Sequence, residues 1–151
     1  MLAENTVLTG RRAITRSYAK INLTLDVLSK RENGYHDIKM IMQTVSLFDL
    51  ILVDKTHRGI SISTNLPYLP CNEKNIAYKA ADAFFKATGI RGGAKIVIHK
   101  NIPVAAGLAG GSGNCAAVLT AMNMLHGNPL SNDELMHIGA SLGADVPYCF
   151  D

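Results

Sequence analysis

Between residues 14 and 30, Ile21, Leu23, Leu25 and Val27 alternate with Asn22, Thr24 and Asp26, a period of two that predicts a strand buried on one side. Lys20 and Asn22 then share its polar face. Asn33-Gly34 signals a turn after a charged run, and the β-branched, apolar stretch 38–53 predicts two more strands with a break near Phe48-Asp49. Ile60, Ile62 and Thr64 alternate with Ser61 and Ser63 in a short strand, followed by a surface loop holding Pro67, Pro70 and Cys71. Ile76, Ala80, Ala83, Phe84 and Ala87 fall on one face of a helix over 75–88, with Gly89 placed to close it in a left-handed conformation. Residues 94–99 read as a strand with Ile96 and Ile98 on one side.

A loop is predicted over 101–114. Beyond it Cys115, Val118, Leu119, Met122 and Leu125 predict an amphipathic helix ended by Gly127 and Pro129. Ser131 and Glu134 form a capping box for a last helix, which turns Leu135, Ile138 and Leu142 inward and stops near Gly143. Residues 146–151 look like the start of another strand, whose apolar side chains near Phe150 lack a partner, so the chain is expected to be a fragment of a longer protein. A homodimer formed through that surface is a further expectation. Strands come first and helices are mixed in later, without regular strand-helix alternation, so the predicted class is α+β.

Composition narrows the functions open to such a chain. With 151 residues, 48% hydrophobic and 18% charged, it suits one globular domain, and a net charge of +3 is too mild to predict nucleic-acid binding. Cys71, Cys115 and Cys149 are an odd number without a CxxC spacing, which argues for reduced thiols and against a disulfide framework or a zinc cage. No signal peptide or membrane span is legible, so a soluble, cytoplasmic protein without a membrane partner is expected.

The chemistry concentrates in Asn101-Ile102-Pro103-Val104-Ala105-Ala106-Gly107-Leu108-Ala109-Gly110-Gly111-Ser112-Gly113-Asn114. Four glycines among the seven residues 107–113 supply a backbone that can curl around an anion. The helix that follows adds free N–H groups and a positive dipole end, so phosphate is the natural ligand, against the plain alternative of a flexible glycine loop. Neither a Walker loop nor a Rossmann fingerprint fits the spacing. The loop has no lysine, so a basic residue from elsewhere is needed, and Lys20 and Lys100 are candidates.

Residues 103–113 resemble the glycine-rich ATP loop of the GHMP small-molecule kinases, named for galactokinase, homoserine, mevalonate and phosphomevalonate kinases. Ala19-Lys20-Ile21-Asn22-Leu23, Asn33-Gly34-Tyr35-His36 and Gly143-Ala144-Asp145-Val146-Pro147 stand in matching order and narrow the resemblance to one branch. That branch phosphorylates the 2-hydroxyl of 4-diphosphocytidyl-2-C-methyl-D-erythritol with ATP, in isoprenoid precursor synthesis by the non-mevalonate route. Family members continue well beyond the end of this chain, so residues 1–151 would be the ATP-binding N-terminal domain, with the carboxy-terminal domain and its glycine-rich motif absent. The implied fold is a two-layer α+β domain like the second domain of ribosomal protein S5, with a left-handed βαβ unit.

The resemblance implies a catalytic pair, Asp145 as general base with Lys20 beside it favouring the ionised carboxylate. Pro103, Val104, Ala105, Ala106, Gly107, Leu108, Ala109, Gly110, Gly111, Ser112, Gly113 and Asn114 would hold the ATP phosphates, and Lys100 and the Asn75-Ile76 pair would line the nucleoside pocket. Asn22, Tyr35 and His36 would bind the cytidine-linked substrate. Magnesium is expected with ATP, with Ser112 a nearby hydroxyl and its other protein ligands open. Without the resemblance, Asp145 reads as a turn or cap carboxylate, Lys20 as solvated, His36 as exposed and Tyr35 as a packing residue. His57, His99, His126 and His137 stay in that plain class, and Met40, Met42, Met122 and Met124 are core filler.

Family loops usually carry a side chain where this chain has Gly113. Losing a hydroxyl there is expected to weaken ATP binding, by about 1 to 3 kcal/mol for a charge-assisted contact. Two rival readings share the fold: a truncated, inactive nucleotide-binding remnant, and an S5-like RNA-binding module. The second needs basic residues on one face, and Arg11, Arg12, Arg16, Lys30 and Arg31 are scattered in sequence.

Overall fold

A sheet backed by a helical layer is described by a computed structural model over residues 2–30, 34 and 36–150, with the backbone alone for residues 30 and 36–38. The elements in chain order are β1 (Thr6–Thr9), β2 (Arg12–Lys30), β3 (His36–Thr56), β4 (Gly59–Thr64), α1 (Ile76–Thr88), β5 (Gly93–His99), α2 (Gly110–Leu125), α3 (Asn132–Leu142) and a closing 3-10 turn, Pro147–Phe150. The five strands lie in the order β1-β2-β3-β5-β4. All neighbours are antiparallel except β4 and β5, which run parallel and are joined through α1 in a βαβ unit. The α+β class expected from the strand and helix patterns holds.

One face of the sheet makes the core. Ala13 pairs with Val53 and Thr15 with Ile51 across β2 and β3, and Val53 with Ile96 and Ile51 with Ile98 across β3 and β5. All of these side chains are buried. The β2 contribution (Ala13, Thr15, Ser17, Ala19) is small, which lets α2 approach the sheet closely. A Cβ built on Gly113 would lie 2.4 Å from the Ser17 hydroxyl, so the helix has a glycine where it meets the strand. Because α2 is covered by the sheet, α1 and the terminal turn, it is buried almost all round from Gly113 to Asn123 rather than along one stripe. Its predicted amphipathicity is corrected accordingly.

Three other expectations change. The apolar series Ile21, Leu23, Leu25 and Val27 is exposed, because this half of the β2–β3 hairpin runs past the helical layer and nothing in the described chain covers it. Stretch 38–53 lies in one continuous strand, and the predicted break is a register irregularity, where one residue of β2 between Tyr18 and Lys20 faces three of β3 between Thr44 and Phe48. Residues 147–150 form a 3-10 turn instead of a strand. Val146 is fully buried there, Phe150 packs beside Gly139, and Leu2 N–H donates to the Phe150 carbonyl, so the terminal apolar residues have partners within the domain.

Helix termini follow their sequence signals. Asn75 caps α1 through its side chain, which accepts from Ala77 N–H at 3.0 Å, and Gly89 closes the helix at φ 68°. The Ser131–Glu134 capping box is present in α3. The strand β1 was not anticipated from the sequence, since Thr6–Thr9 buries only Thr6 and shows no alternation. All three cysteines are free thiols. Burial pushes both the Cys115 and the Cys149 thiol up to about 12, so neither is thiolate at neutral pH. Among the described residues no helix is long and apolar enough to cross a membrane.

Candidate active site

The glycine-rich segment leaves β5 and curls before α2, and α2 begins inside the glycine run, at Gly110, rather than after residue 114. Ala105, Gly107 and Ala109 adopt left-handed conformations at φ 58°, 73° and 56°, alternating along the loop. Backbone that repeatedly passes through this region turns successive N–H groups toward one concavity, which favours an anion. For Ala105 and Ala109 the conformation costs about 1–2 kcal/mol each.

The start of α2 is chemically different from the starts of α1 and α3. Its N-cap, Ala109, offers no side-chain acceptor, and its first turn has no acidic residue. Its first N–H groups therefore stay available beside the positive dipole end. They open on a cleft of about 490 Å³ lined by every residue from Pro103 to Ser112, by Asn114, Asn75, Ile76, Lys74 and Lys100, and by Asp145. The side-chain oxygen of Asn114 is buried without a protein partner.

Two long-range devices bring the catalytic candidates to this cleft. The irregularity in β2–β3 leaves both Ala19 and Lys20 buried in succession, breaking the alternation so that Lys20 faces the helical side. The Lys20 N–H also donates to the Leu108 carbonyl at 3.1 Å, which ties the strand to the glycine loop. From the other end of the chain, the turn after α3 is anchored by buried Val146 and holds Asp145 half exposed at the cleft. The Lys20 ammonium lies 3.9 Å from the Asp145 carboxylate and donates to Asn22 Oδ1 at 2.9 Å. Lys20 also lines a second cleft, of about 540 Å³, with Tyr18, Asn5, Tyr148, Cys149 and residues 43–46 of β3. Of the amine-carboxylate pair, Asp145 thus lines the first cleft and Lys20 the second.

The predicted nucleotide residues divide. Asn75 lines the first cleft but spends its amide on local structure, capping α1 and donating to the Pro70 carbonyl at 2.9 Å. Lys100 also lines it, yet its ammonium is paired with the fully buried Asp49. Gly113 faces β2: the side chain it lacks would point at Ser17 and not into the cleft. Tyr35 lies outside the described residues, and of His36 only the backbone, at the start of β3, is described. Ile76 lines the first cleft beside Asn75, whereas Lys74 and Asp49 were missed by sequence reasoning. Lys74 carried no signal beyond its position before Asn75, and Asp49 looked like a strand break. Of the basic residues weighed for RNA, Arg12 pairs with Asp54 at 2.6 Å and Arg16 sits over the Phe48 ring, while Arg31 and the Lys30 side chain lie outside the described residues.

A sequence profile described as the GHMP kinases N terminal domain matches residues 75–150, just over half of the chain. A Clostridium botulinum protein named 4-diphosphocytidyl-2-C-methyl-D-erythritol kinase is 52% identical over 134 residues, covering 89% of this chain and 48% of that one. A Clostridium perfringens protein of the same name is 53% identical over 137 residues, covering 90% and 48%. The crystal structure of a 4-(cytidine 5'-diphospho)-2C-methyl-D-erythritol kinase superposes with a TM-score of 0.79 at 36% identity, covering 89% of this chain and 47% of that one. Homoserine kinase from Cytophaga hutchinsonii, at 20% identity and a TM-score of 0.71 over 91% and 44%, shares the fold. The chain spans about half the length of the curated relatives it matches.

Proposed function

Since the chain belongs to the GHMP kinase family, whose N-terminal domain it carries, we propose that the protein phosphorylates the 2-hydroxyl of 4-diphosphocytidyl-2-C-methyl-D-erythritol with ATP. The convergence of Lys20 and Asp145 beside the amide cradle, 3.9 Å apart, carries this reading. The relatives at about half identity, named for that kinase, support the choice of substrate. In the reaction the triphosphate lies along the loop and the start of α2, whose N–H groups meet its charge. The acceptor hydroxyl approaches from the second cleft, placing it in line with the γ-phosphoryl.

Asp145 accepts the hydroxyl proton as the new P–O bond forms, and the bond to ADP breaks. The Lys20 ammonium, 3.9 Å from that carboxylate, lowers the cost of negative charge on the acceptor oxygen. Its own position is fixed by Asn22. Tyr35 and His36 recognise the cytidine, on the strength of their motif. Magnesium suits the oxygen donors at the cradle: the half-buried Ser112 hydroxyl and the unpartnered Asn114 oxygen would hold it. Bound there, magnesium would supply charge neutralisation to the triphosphate.

The test is to incubate the protein with ATP and the cytidine-linked substrate and follow ADP release and the phosphorylated product by phosphorus NMR. Asp145→Asn is expected to cut turnover by about a hundredfold or more while leaving ATP binding intact. Near-normal turnover in that variant removes Asp145 from the base role. ATP binding without any substrate-dependent ADP release would instead favour the inactive-remnant reading.

A further inference from the structure

Asp49 lies on β3 outside the catalytic pair, fully buried, and its carboxylate bonds to the root of the glycine-rich loop. Its Oδ1 accepts from the N–H groups of Asn101 and Ile102, both at 2.8 Å, and its Oδ2 receives the Lys100 ammonium. The neighbouring backbone is pinned as well. Asn65 accepts from Lys100 N–H at 2.7 Å and donates to the Lys100 carbonyl at 3.1 Å, while the Asn101 amide donates to the Phe48 carbonyl at 2.9 Å. At the far end of the loop, Gly110 sits directly against the same ammonium: a Cβ there would lie 2.8 Å from Lys100 Nζ and 3.0 Å from Ile102 Cγ2. Segment 101–109 therefore begins and ends on one buried ion pair.

We propose that Asp49 is a positioning residue for nucleotide binding, holding the two ends of the cradle at a fixed separation through Asn101, Ile102 and Lys100. The inference rests on reading the cradle as the phosphate site. It also changes the part given to Lys100. An ammonium already matched by a buried carboxylate is not the free cation that the triphosphate lacks; it is a strut under the first residue of α2. An anion held by backbone N–H groups depends steeply on where those groups point, so loosening either end of the loop weakens triphosphate binding more than nucleoside binding.

Removing one partner of a buried ion pair leaves an unmatched charge, which harms folding whatever the residue's role. The test therefore pairs Asp49→Asn with the charge-balanced double variant Asp49→Leu/Lys100→Met, and titrates each with AMP-PNP and with adenosine by calorimetry. The expected result is AMP-PNP binding at least tenfold weaker in both, with adenosine within twofold of the unmodified protein. In turnover, KM for ATP rises at least tenfold while kcat falls less than threefold. If Asp49→Asn does not fold, the double variant decides alone. AMP-PNP binding within twofold of the unmodified protein in the folded double variant overturns the inference and leaves the kinase reading standing. An unmodified protein that binds no AMP-PNP overturns both.

Discussion

At Gly113 the absent side chain has a structural explanation. The space it would occupy belongs to the Ser17 hydroxyl, itself buried without a partner, and the Cβ atoms of the two positions would stand 3.8 Å apart, an ordinary contact. Gly113→Ala alone forces that hydroxyl to move, whereas Ser17→Ala removes an unsatisfied polar atom at little cost. The double variant Ser17→Ala/Gly113→Ala is expected to be more stable than the unmodified chain by about 1 kcal/mol, the gain of alanine over glycine inside a helix. Urea denaturation measures it, and a double variant less stable than the parent contradicts the packing described. ATP affinity should change less than about twofold in it, a ratio worth ~0.4 kcal/mol. Gly107→Ala is a different case. No atom lies within 4 Å of a Cβ there, so its cost is that of the left-handed conformation alone, about 1–2 kcal/mol.

Elements are held by pairings that respond differently to solution conditions. The β2–β3 register places Arg12 opposite Asp54, joined by two hydrogen bonds at 2.6 and 2.8 Å near the surface. The guanidinium holds the Asp54 carboxyl below its ordinary range. A carboxyl depressed by folding contributes stability that is present above its unfolded pKa, about 4, and lost as pH falls through the folded value. Asp54→Asn should therefore cost at most about 1 kcal/mol at neutral pH in low salt, less at high salt, and nothing in strong acid. Thermal melts at neutral and acid pH read this out; an equal loss at both would mean that the pair contributes nothing electrostatic. Helix α1 depends instead on packing. Phe84 is fully buried among both helical neighbours and the sheet, and Phe84→Ala is expected to cost about 3–5 kcal/mol.

For the whole molecule, the proposed ligand site links distant parts of the chain: β2 supplies Lys20, the β5–α2 connection the cradle, and the turn after α3 Asp145. A ligand that binds only when these are assembled stabilises the assembly. AMP-PNP at a hundred times its dissociation constant should add about 2.7 kcal/mol, raising the melting temperature by roughly 5–10 °C for a domain of this size. An unchanged melting temperature at saturating AMP-PNP contradicts the assembled site.

Local signals in the amino-acid sequence determined α1, β4, β5 and α3, because the Asn75 and Ser131 caps, Gly89 and the alternating isoleucines act within a few residues of themselves. The cradle was legible for the same reason, as a glycine cluster ahead of a helix, although two of its three left-handed positions, Ala105 and Ala109, are not glycine. Only tertiary structure decided that Ile21, Leu23, Leu25 and Val27 are exposed, since alternation marks an apolar face without saying whether another element covers it. It also decided the depth of Lys20, which depends on an irregularity in a partner strand more than twenty residues away. The burial of Asp49 beneath the loop was invisible for a related cause: a charge inside a strand looks like an interruption until the amides and ammonium that compensate it arrive from about fifty positions downstream.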